Sequence, residues 1–225
     1  MKKPLLIILS ALLIAALLGA ALSSCRKSDA TREEKVERFI SENPSLKQAQ
    51  TVFIGDSITE HYPIERYFRA LDTECYNRGI SGDTTDWLLS RLQVSLFDLA
   101  PSRVVLMIGT NDINLGRSAE EIGESYAILL DTISKQLPDA EVFCVSIIPQ
   151  NEKYSEDASA NNLRIMKANE IIKSLSGTHG YTYVDLYSEL TDDDGLLSSE
   201  LSTDGLHLNR RGYRVWTPIM KELLK

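Results

Sequence analysis

Arg103-Val104-Val105-Leu106-Met107-Ile108, followed at once by Gly109-Thr110-Asn111-Asp112, is the stretch on which the architecture turns. Pro101 stands just ahead of it, and no apolar run beyond the N-terminal segment is more continuous. A strand that alternates apolar and polar residues has one wet face, whereas a strand without alternation is covered on both. The run is therefore read as a central strand of a parallel sheet. The polar, glycine-led string after it falls at the strand's C-terminal end.

Outward from that strand, the chain alternates between short apolar runs and segments with helical spacing. Residues 32–41 pattern as a helix with Val36, Phe39 and Ile40 on one face, and Asn43-Pro44 ends it. Strands are expected at Thr51–Gly55, Cys75–Asn77, Glu141–Ile147 and Tyr181–Asp185. Helices are expected over 59–70, 84–94, 159–176 and about 209–224. Another opens at the capping box Ser118-Ala119-Glu120-Glu121 and runs to Leu137. Gly177 reads as the stop of the 159–176 helix, and Pro218 should kink or interrupt the last one. Strands separated by helices of this length make βαβ units, and right-handed crossovers place helices on both faces of a parallel sheet. The chain shows no internal repeat and no second domain.

The first 24 residues stand apart. Lys2 and Lys3 precede an apolar run from Leu5 to Leu22, broken only by Ser10, and Leu22-Ser23-Ser24-Cys25 closes it. This reads as a secretory signal. It resembles a bacterial lipoprotein signal in which Cys25 is lipidated and becomes the first mature residue. An uncleaved membrane anchor and simple secretion are the other readings, the run being just long enough to span a bilayer. All three put the folded domain outside the cytoplasm. Residues 25–31 then form a tether and residues 32–225 the domain.

The 225 residues are 43% hydrophobic and 25% charged with a net charge of −8, the composition of a globular domain on the acidic side. Loss of Lys2 and Lys3 with the signal makes the balance more acidic still. Such a surface repels phosphate backbones, so nucleic acid is excluded as a partner, and membrane residence has to come from the N-terminus. Cys75 and Cys144 could pair in an oxidising compartment, but both lie in apolar runs and read as two buried thiols. Asp192-Asp193-Asp194-Gly195 lacks the spaced oxygen ligands of a cation loop and reads as a solvated turn.

In an open parallel sheet, ligands bind beyond the C-terminal ends of the strands. Gly55-Asp56-Ser57, Asn77–Gly82 and Gly109–Asp112 all fall there. Ser57 sits where strand turns to helix, which exposes its hydroxyl near a helix N-terminus. A serine needs a base. Of the three histidines, His61 reads as a surface or packing residue and His179 lies in a loop between Gly177 and Gly180. His207 follows Asp204 by three residues, so one imidazole nitrogen can meet that carboxylate while the other faces Ser57. The N–H of Ser57, the N–H of Gly79 and the Asn111 amide are the candidate oxyanion donors. Each string alone has a plainer reading: a helix N-cap for Ser57 or Asp204, an Asx-turn for Asn111, turn chemistry for Gly79. Together and in this order they describe acyl transfer from an ester.

The strings also resemble those of the SGNH/GDSL hydrolase superfamily over nearly all of residues 50–225. Phe53–Thr59 resembles the nucleophile block with Ser57, and Asn77–Asp83 the second block with Gly79 as donor. Val105–Asp112 resembles the third, with Asn111 as donor. Thr203–His207 resembles the last, with Asp204 and His207 completing a triad. The resemblance implies a three-layer α/β/α flavodoxin-like sandwich with a five-stranded parallel sheet, no cofactor, and a spacing similar to bacterial relatives of platelet-activating-factor acetylhydrolase catalytic subunits. The expected activity is that of a serine esterase acting on a small ester, an acylated glycan or a lipid. The same residues would serve a lysophospholipase, a thioesterase or an acyltransferase, and a surface binding module of the same fold stands as the reading from another class. Loops 81–86, 113–118, 149–158 and 196–203 should set the pocket. The base must be neutral, so activity should rise with pH through the ordinary histidine range, about 6–7.

Overall fold

The computed structural model describes residues 32–225. The signal segment, Cys25 and the tether lie outside the described residues. No helix among the described residues is long and apolar enough to cross a membrane.

After helix α1 (32–42) the chain runs β1 (Thr51–Gly55), α2 (Ser57–Glu60), α3 (Ile64–Phe68), β2 (Cys75–Gly79), α4 (Thr85–Ser90) and α5 (Leu92–Ser95). It continues with β3 (Arg103–Met107), α6 (Thr110–Asn114), α7 (Ala119–Gln136), β4 (Glu141–Val145), α8 (Ala158–Thr178), β5 (Thr182–Val184), α9 (Tyr187–Leu190) and α10 (Arg210–Leu223). The five strands are ordered β2-β1-β3-β4-β5 and all pairs are parallel. β3 pairs with both β1 and β4, the central place its continuous apolar run implies.

Strand pleating sends alternate residues to opposite faces. Val52, Ile54, Val104, Leu106, Val142 and Cys144 pack under α4, α5, α7 and α8. Phe53, Val105, Met107, Phe143 and Val145 pack on the other face, under α2, α3, α9 and α10. There Tyr62 stacks on Trp216 at 4.5 Å and on Tyr213 at 4.8 Å between ring centroids. These two cores make the three-layer α/β/α sandwich. Because β1 lies between β2 and β3, successive crossovers leave it in opposite directions, which opens a crevice at its C-terminal end.

Several expected elements differ in detail. The 59–70 helix is two helices, parted at Tyr62-Pro63, because a proline disfavours helical backbone in the residue before it. The 84–94 helix breaks at Arg91, whose guanidinium turns inward to bond Asp83, the Arg78 and Gly55 carbonyls and Ser95. β2 extends to Gly79. α8 runs past Gly177 to Thr178, and Gly180, at φ 71°, is the left-handed residue that ends it. The Tyr181 N–H bonds the Ser176 carbonyl and the Gly180 N–H that of Gly177, a Schellman closure. Pro218 does not interrupt α10, which is continuous from Arg210 to Leu223. The Ser118–Glu121 capping box forms as expected. Cys144 is a buried free thiol, while Cys75 is free but only half buried. Asp192 Oδ1 accepts from the N–H groups of Asp194 and Leu196, which makes 192–195 a self-bonded turn.

Candidate active site

The nucleophile side begins where β1 ends. Asp56 is extended (φ −94°, ψ −152°) and caps α2, its Oδ1 accepting from the Ile58 N–H at 2.9 Å. Asp56, and not Ser57, is therefore the N-cap, and Ser57 is the first helical residue. Its side chain is left at the crevice, with the residue 7% exposed. Asp56 itself is wholly buried, and its Oδ2 has no partner among the described residues. Burial pushes its carboxyl up to about 7 against the pull of the Ile58 N–H, and Asp83 and Asp112 nearby add to the rise. Desolvation thus brings a group one residue from the candidate nucleophile to titrate near neutral pH.

The histidine side is built locally. Asp204 Oδ1 accepts from the N–H groups of Leu206 at 3.0 Å and His207 at 2.8 Å, which folds the tetrapeptide into a turn. Its other oxygen, Oδ2, meets His207 Nδ1 at 2.7 Å. Ser202 Oγ donates to the His207 carbonyl at 2.8 Å and accepts from the Gly205 N–H at 2.9 Å. Gly205 has φ 86°, and a Cβ there would lie 2.3 Å from Asn151 Oδ1 and 2.6 Å from the Tyr154 nitrogen. Only glycine fits both the backbone and the space. Burial nudges the Asp204 carboxyl upward, but the bonds from His207 and the two N–H groups outweigh it and hold it well below the usual carboxylate range. Asn209, and not Asp204, caps α10, its Oδ1 accepting from the Arg211 and Gly212 N–H groups.

The two sides meet across 150 positions of sequence: Ser57 Oγ lies 2.9 Å from His207 Nε2. Hydroxyl, imidazole and carboxylate thus stand in one hydrogen-bonded series. His61 is exposed at the same rim, its ring 5.3 Å from that of His207 between centroids. His179 takes no part, since its ring bonds Asp131 and the Leu175 carbonyl and ties α8 to α7.

Of the three expected oxyanion donors, Gly79 is one whose N–H is already engaged. The Gly79 N–H donates to Asn77 Oδ1 at 2.9 Å, so it is committed within its own segment. Asn77 Nδ2 in turn donates to the carbonyls of Thr59, Glu60 and Tyr62 at the end of α2. A Cβ on Gly79 would lie 2.2 Å from the Glu60 nitrogen, so this glycine lets α2 sit against β2. Farther along the loop, Gly82 has φ 83° and open space around it. Asn111, in the first turn of α6, donates from Nδ2 to the Asp83 carbonyl at 2.9 Å and is half buried. That bond holds α6 beside the Gly82 loop, and the second amide hydrogen has no partner among the described residues. Gly82, beside Asp83 and outside the strand, is the second glycine of the same segment.

The residues 53–215 match the model of the GDSL-like lipase/acylhydrolase family. The chain is 29% identical over 190 residues to the platelet-activating factor acetylhydrolase IB subunit alpha1 of Bos taurus, covering 83% of this chain and 78% of that protein. A solved structure from Streptococcus pneumonia, named for platelet activating factor, superposes with a TM-score of 0.84 at 29% identity, over 92% of this chain and 99% of the other. An acetylxylan esterase from Geobacillus stearothermophilus shares the fold, with a TM-score of 0.63 at 16% identity, over 80% and 95% of the two chains. The matched span takes in Ser57, Gly82, Asn111, Asp204 and His207, and the chain accordingly belongs to the GDSL-like lipase/acylhydrolase family and is a GDSL-type ester hydrolase.

Proposed function

We propose that the chain is a serine esterase that removes small acyl groups, acetyl above all, from the hydroxyls of glycans or small molecules. The observation that carries this reading is the series Ser57 Oγ, His207 Nε2, His207 Nδ1, Asp204 Oδ2, with contacts of 2.9 and 2.7 Å. Ser57 Oγ attacks the ester carbonyl carbon while its proton passes to His207 Nε2. Asp204 orients the ring and stabilises the imidazolium. The developing oxyanion is received by the N–H groups of Ser57 and Gly82 and by Asn111 Nδ2. The C–O bond to the alcohol breaks, and His207 returns the proton to the leaving oxygen. Water, deprotonated by His207, then splits the acyl-enzyme into the acid and free Ser57.

The small-acyl preference rests on the openness of the rim. The side chains of His207 and Asp204 are 31% and 49% exposed beside a nucleophile that is nearly covered. A short acyl group fits the covered side, while the alcohol is left in solvent, where a bulky glycan costs nothing to place. The acetylhydrolase and acetylxylan esterase relatives agree with such a substrate. A longer-chain reading rests on Leu115, which stands exposed at the end of α6, one turn beyond Asn111. Rates on nitrophenyl acetate, nitrophenyl octanoate, a lysophospholipid and an acetylated xylan separate the two. The acetyl esters should be turned over at least about tenfold faster. Faster turnover of octanoate or lysophospholipid would sink the small-acyl reading and leave the serine mechanism standing.

The domain is proposed to work outside the cytoplasm, tethered by lipid on Cys25, on the strength of the charged, apolar and small-residue order of residues 1–25. Metabolic labelling with a radioactive fatty acid should label wild type and not Cys25→Ser; wild type that takes up no label would refute the lipid tether.

A further inference from the structure

α1 is not part of the sheet, yet it reaches the loop that carries Gly82 and bonds Asn111. Arg32 Nε pairs with Asp83 Oδ1 at 2.7 Å, and its guanidinium lies 3.0 Å over the centroid of the Trp87 ring. Lys35, one turn later on the same face, pairs with Glu60 at 2.6 Å. Glu60 Oε2 accepts both the backbone N–H of Ser81 at 2.7 Å and the Ser81 hydroxyl at 2.5 Å. Gly82 is therefore flanked by two residues that α1 holds, Ser81 through Glu60 and Asp83 directly. Asp83 also supplies the carbonyl that fixes Asn111 Nδ2.

We infer that α1 is a clamp that positions the oxyanion loop, with Arg32 and Lys35 as positioning residues that set the chemical rate without touching substrate. The inference rests on the reading of Gly82 and Asn111 as oxyanion donors.

The pairs are sheltered rather than loose surface contacts. The side chains of Arg32 and Lys35 are 13% and 19% exposed, and Asp83 is fully buried. Sheltered pairs hold geometry better than solvated ones, which are worth little. The attachment of the helix is separate from its grip. Phe39 is 1% exposed with the Arg78 guanidinium 4.2 Å from its ring centroid, and Glu42 and Asn43 bond that same arginine at 3.0 and 2.9 Å. Loss of Arg32 and Lys35 thus leaves α1 docked by its far end and loosens only the loop. A donor displaced by a fraction of an ångström stabilises the transition state less while substrate still binds.

The test compares wild type, Arg32→Ala, Arg32→Lys and Arg32→Ala/Lys35→Ala on nitrophenyl acetate, with thermal melts and tryptophan emission. The double variant should lose about 30- to 100-fold in kcat with KM within about twofold. Arg32→Lys, which keeps the charge on Asp83, should recover most of the loss seen in Arg32→Ala. Emission should change with Arg32→Ala through Trp87, since Trp216 is fully buried. A kcat equal to wild type in the double variant, or a loss that merely tracks the unfolded fraction in the melts, would overturn the clamp. A fluorophosphonate separates the two layers. Failure of wild type itself to react would refute the role of Ser57, whereas wild-type-like phosphonylation of the double variant would refute the clamp alone.

Discussion

The two halves of the site are built in opposite ways. On the histidine side, most of the bonds that shape the loop span two to five residues, Asp204 to Leu206 and His207 and Ser202 to Gly205 and His207, and the Asn151 N–H on the Gly205 carbonyl is the link from distant chain. The loop makes its own turn, and the carboxylate is half exposed and acidic. On the nucleophile side the supports are buried and come from distant chain. Arg91 is 4% exposed and joins Asp83, the Arg78 carbonyl and the Gly55 carbonyl. The two aspartates show the contrast in one property: desolvation raises Asp56, and hydrogen bonding lowers Asp204. A base can thus be carried by a turn built mostly from local bonds, whereas the groups that must meet developing negative charge need a dry scaffold that fixes them in advance.

Five substitutions sharpen or break this contrast. Ser57→Ala should cost roughly four or more orders of magnitude in kcat with an unchanged melt, because the nucleophile has no substitute. Retained turnover in pure, folded Ser57→Ala would end the mechanism.

Arg91→Met leaves the Asp83 carboxylate and two backbone carbonyls with fewer partners in a dry place, and should cost about 3–5 kcal/mol in urea unfolding. A loss below about 1 kcal/mol, the range of surface pairs, would mean that the buried scaffold is not what holds this half together.

Asn111→Ala should lower kcat by about 10²–10³ with the fold intact. A change in KM alone would assign Asn111 to ground-state binding instead.

Asp56→Asn tests the electrostatic contrast through pH. The folded-state carboxyl is raised from 3.8 to about 7, so its contribution is present in full below the unfolded value and is lost as pH rises towards and through about 7. The wild-type melt should therefore fall relative to Asp56→Asn between pH 5 and pH 8, by several degrees. Asp204 has the opposite sign: its contribution is present above the ordinary carboxylate range and is lost on acidification. Parallel melting curves for wild type and Asp56→Asn across that interval would refute the raised carboxyl.

Ser202→Ala is the mildest. It removes one hydroxyl whose bonds are all short-range, to His207, Gly205 and Asp204, and should cost about 1 kcal/mol in stability and less than about tenfold in kcat. A loss as large as that of Asn111→Ala would show that the histidine turn is less self-sufficient than its bonds suggest.

Legibility followed the same division. Asp204 and His207 were readable because the spacing of three residues already closes the turn between them. Ser57 was readable because a strand-to-helix junction after an apolar run places a side chain at the crevice. Gly79 was misread because nothing in Asn77-Arg78-Gly79 reveals that its N–H is donated to the Asn77 side chain, nor that α2 presses against it. The breaks at Pro63 and Arg91 divide along the same line. The first is written in a residue with restricted backbone, the second in an arginine that turns inward only because Asp83 and two carbonyls await it. The role of Arg32 was invisible, since its partners lie 51 and 55 positions away.

By itself the sequence determined the parallel sheet, the succession of strands and helices along the chain, and which serine, histidine and aspartate to look for at the crevice. Those properties depend on hydrophobic periodicity and on local chemistry, which neighbouring residues express without help. Only the tertiary structure decided that the Gly79 N–H is engaged by Asn77, which carboxyl is raised to titrate near neutral pH, and how α1 reaches the Gly82 loop. Hydrogen-bond satisfaction and desolvation are properties of packed surroundings, and in this chain those surroundings are assembled from residues far apart in sequence.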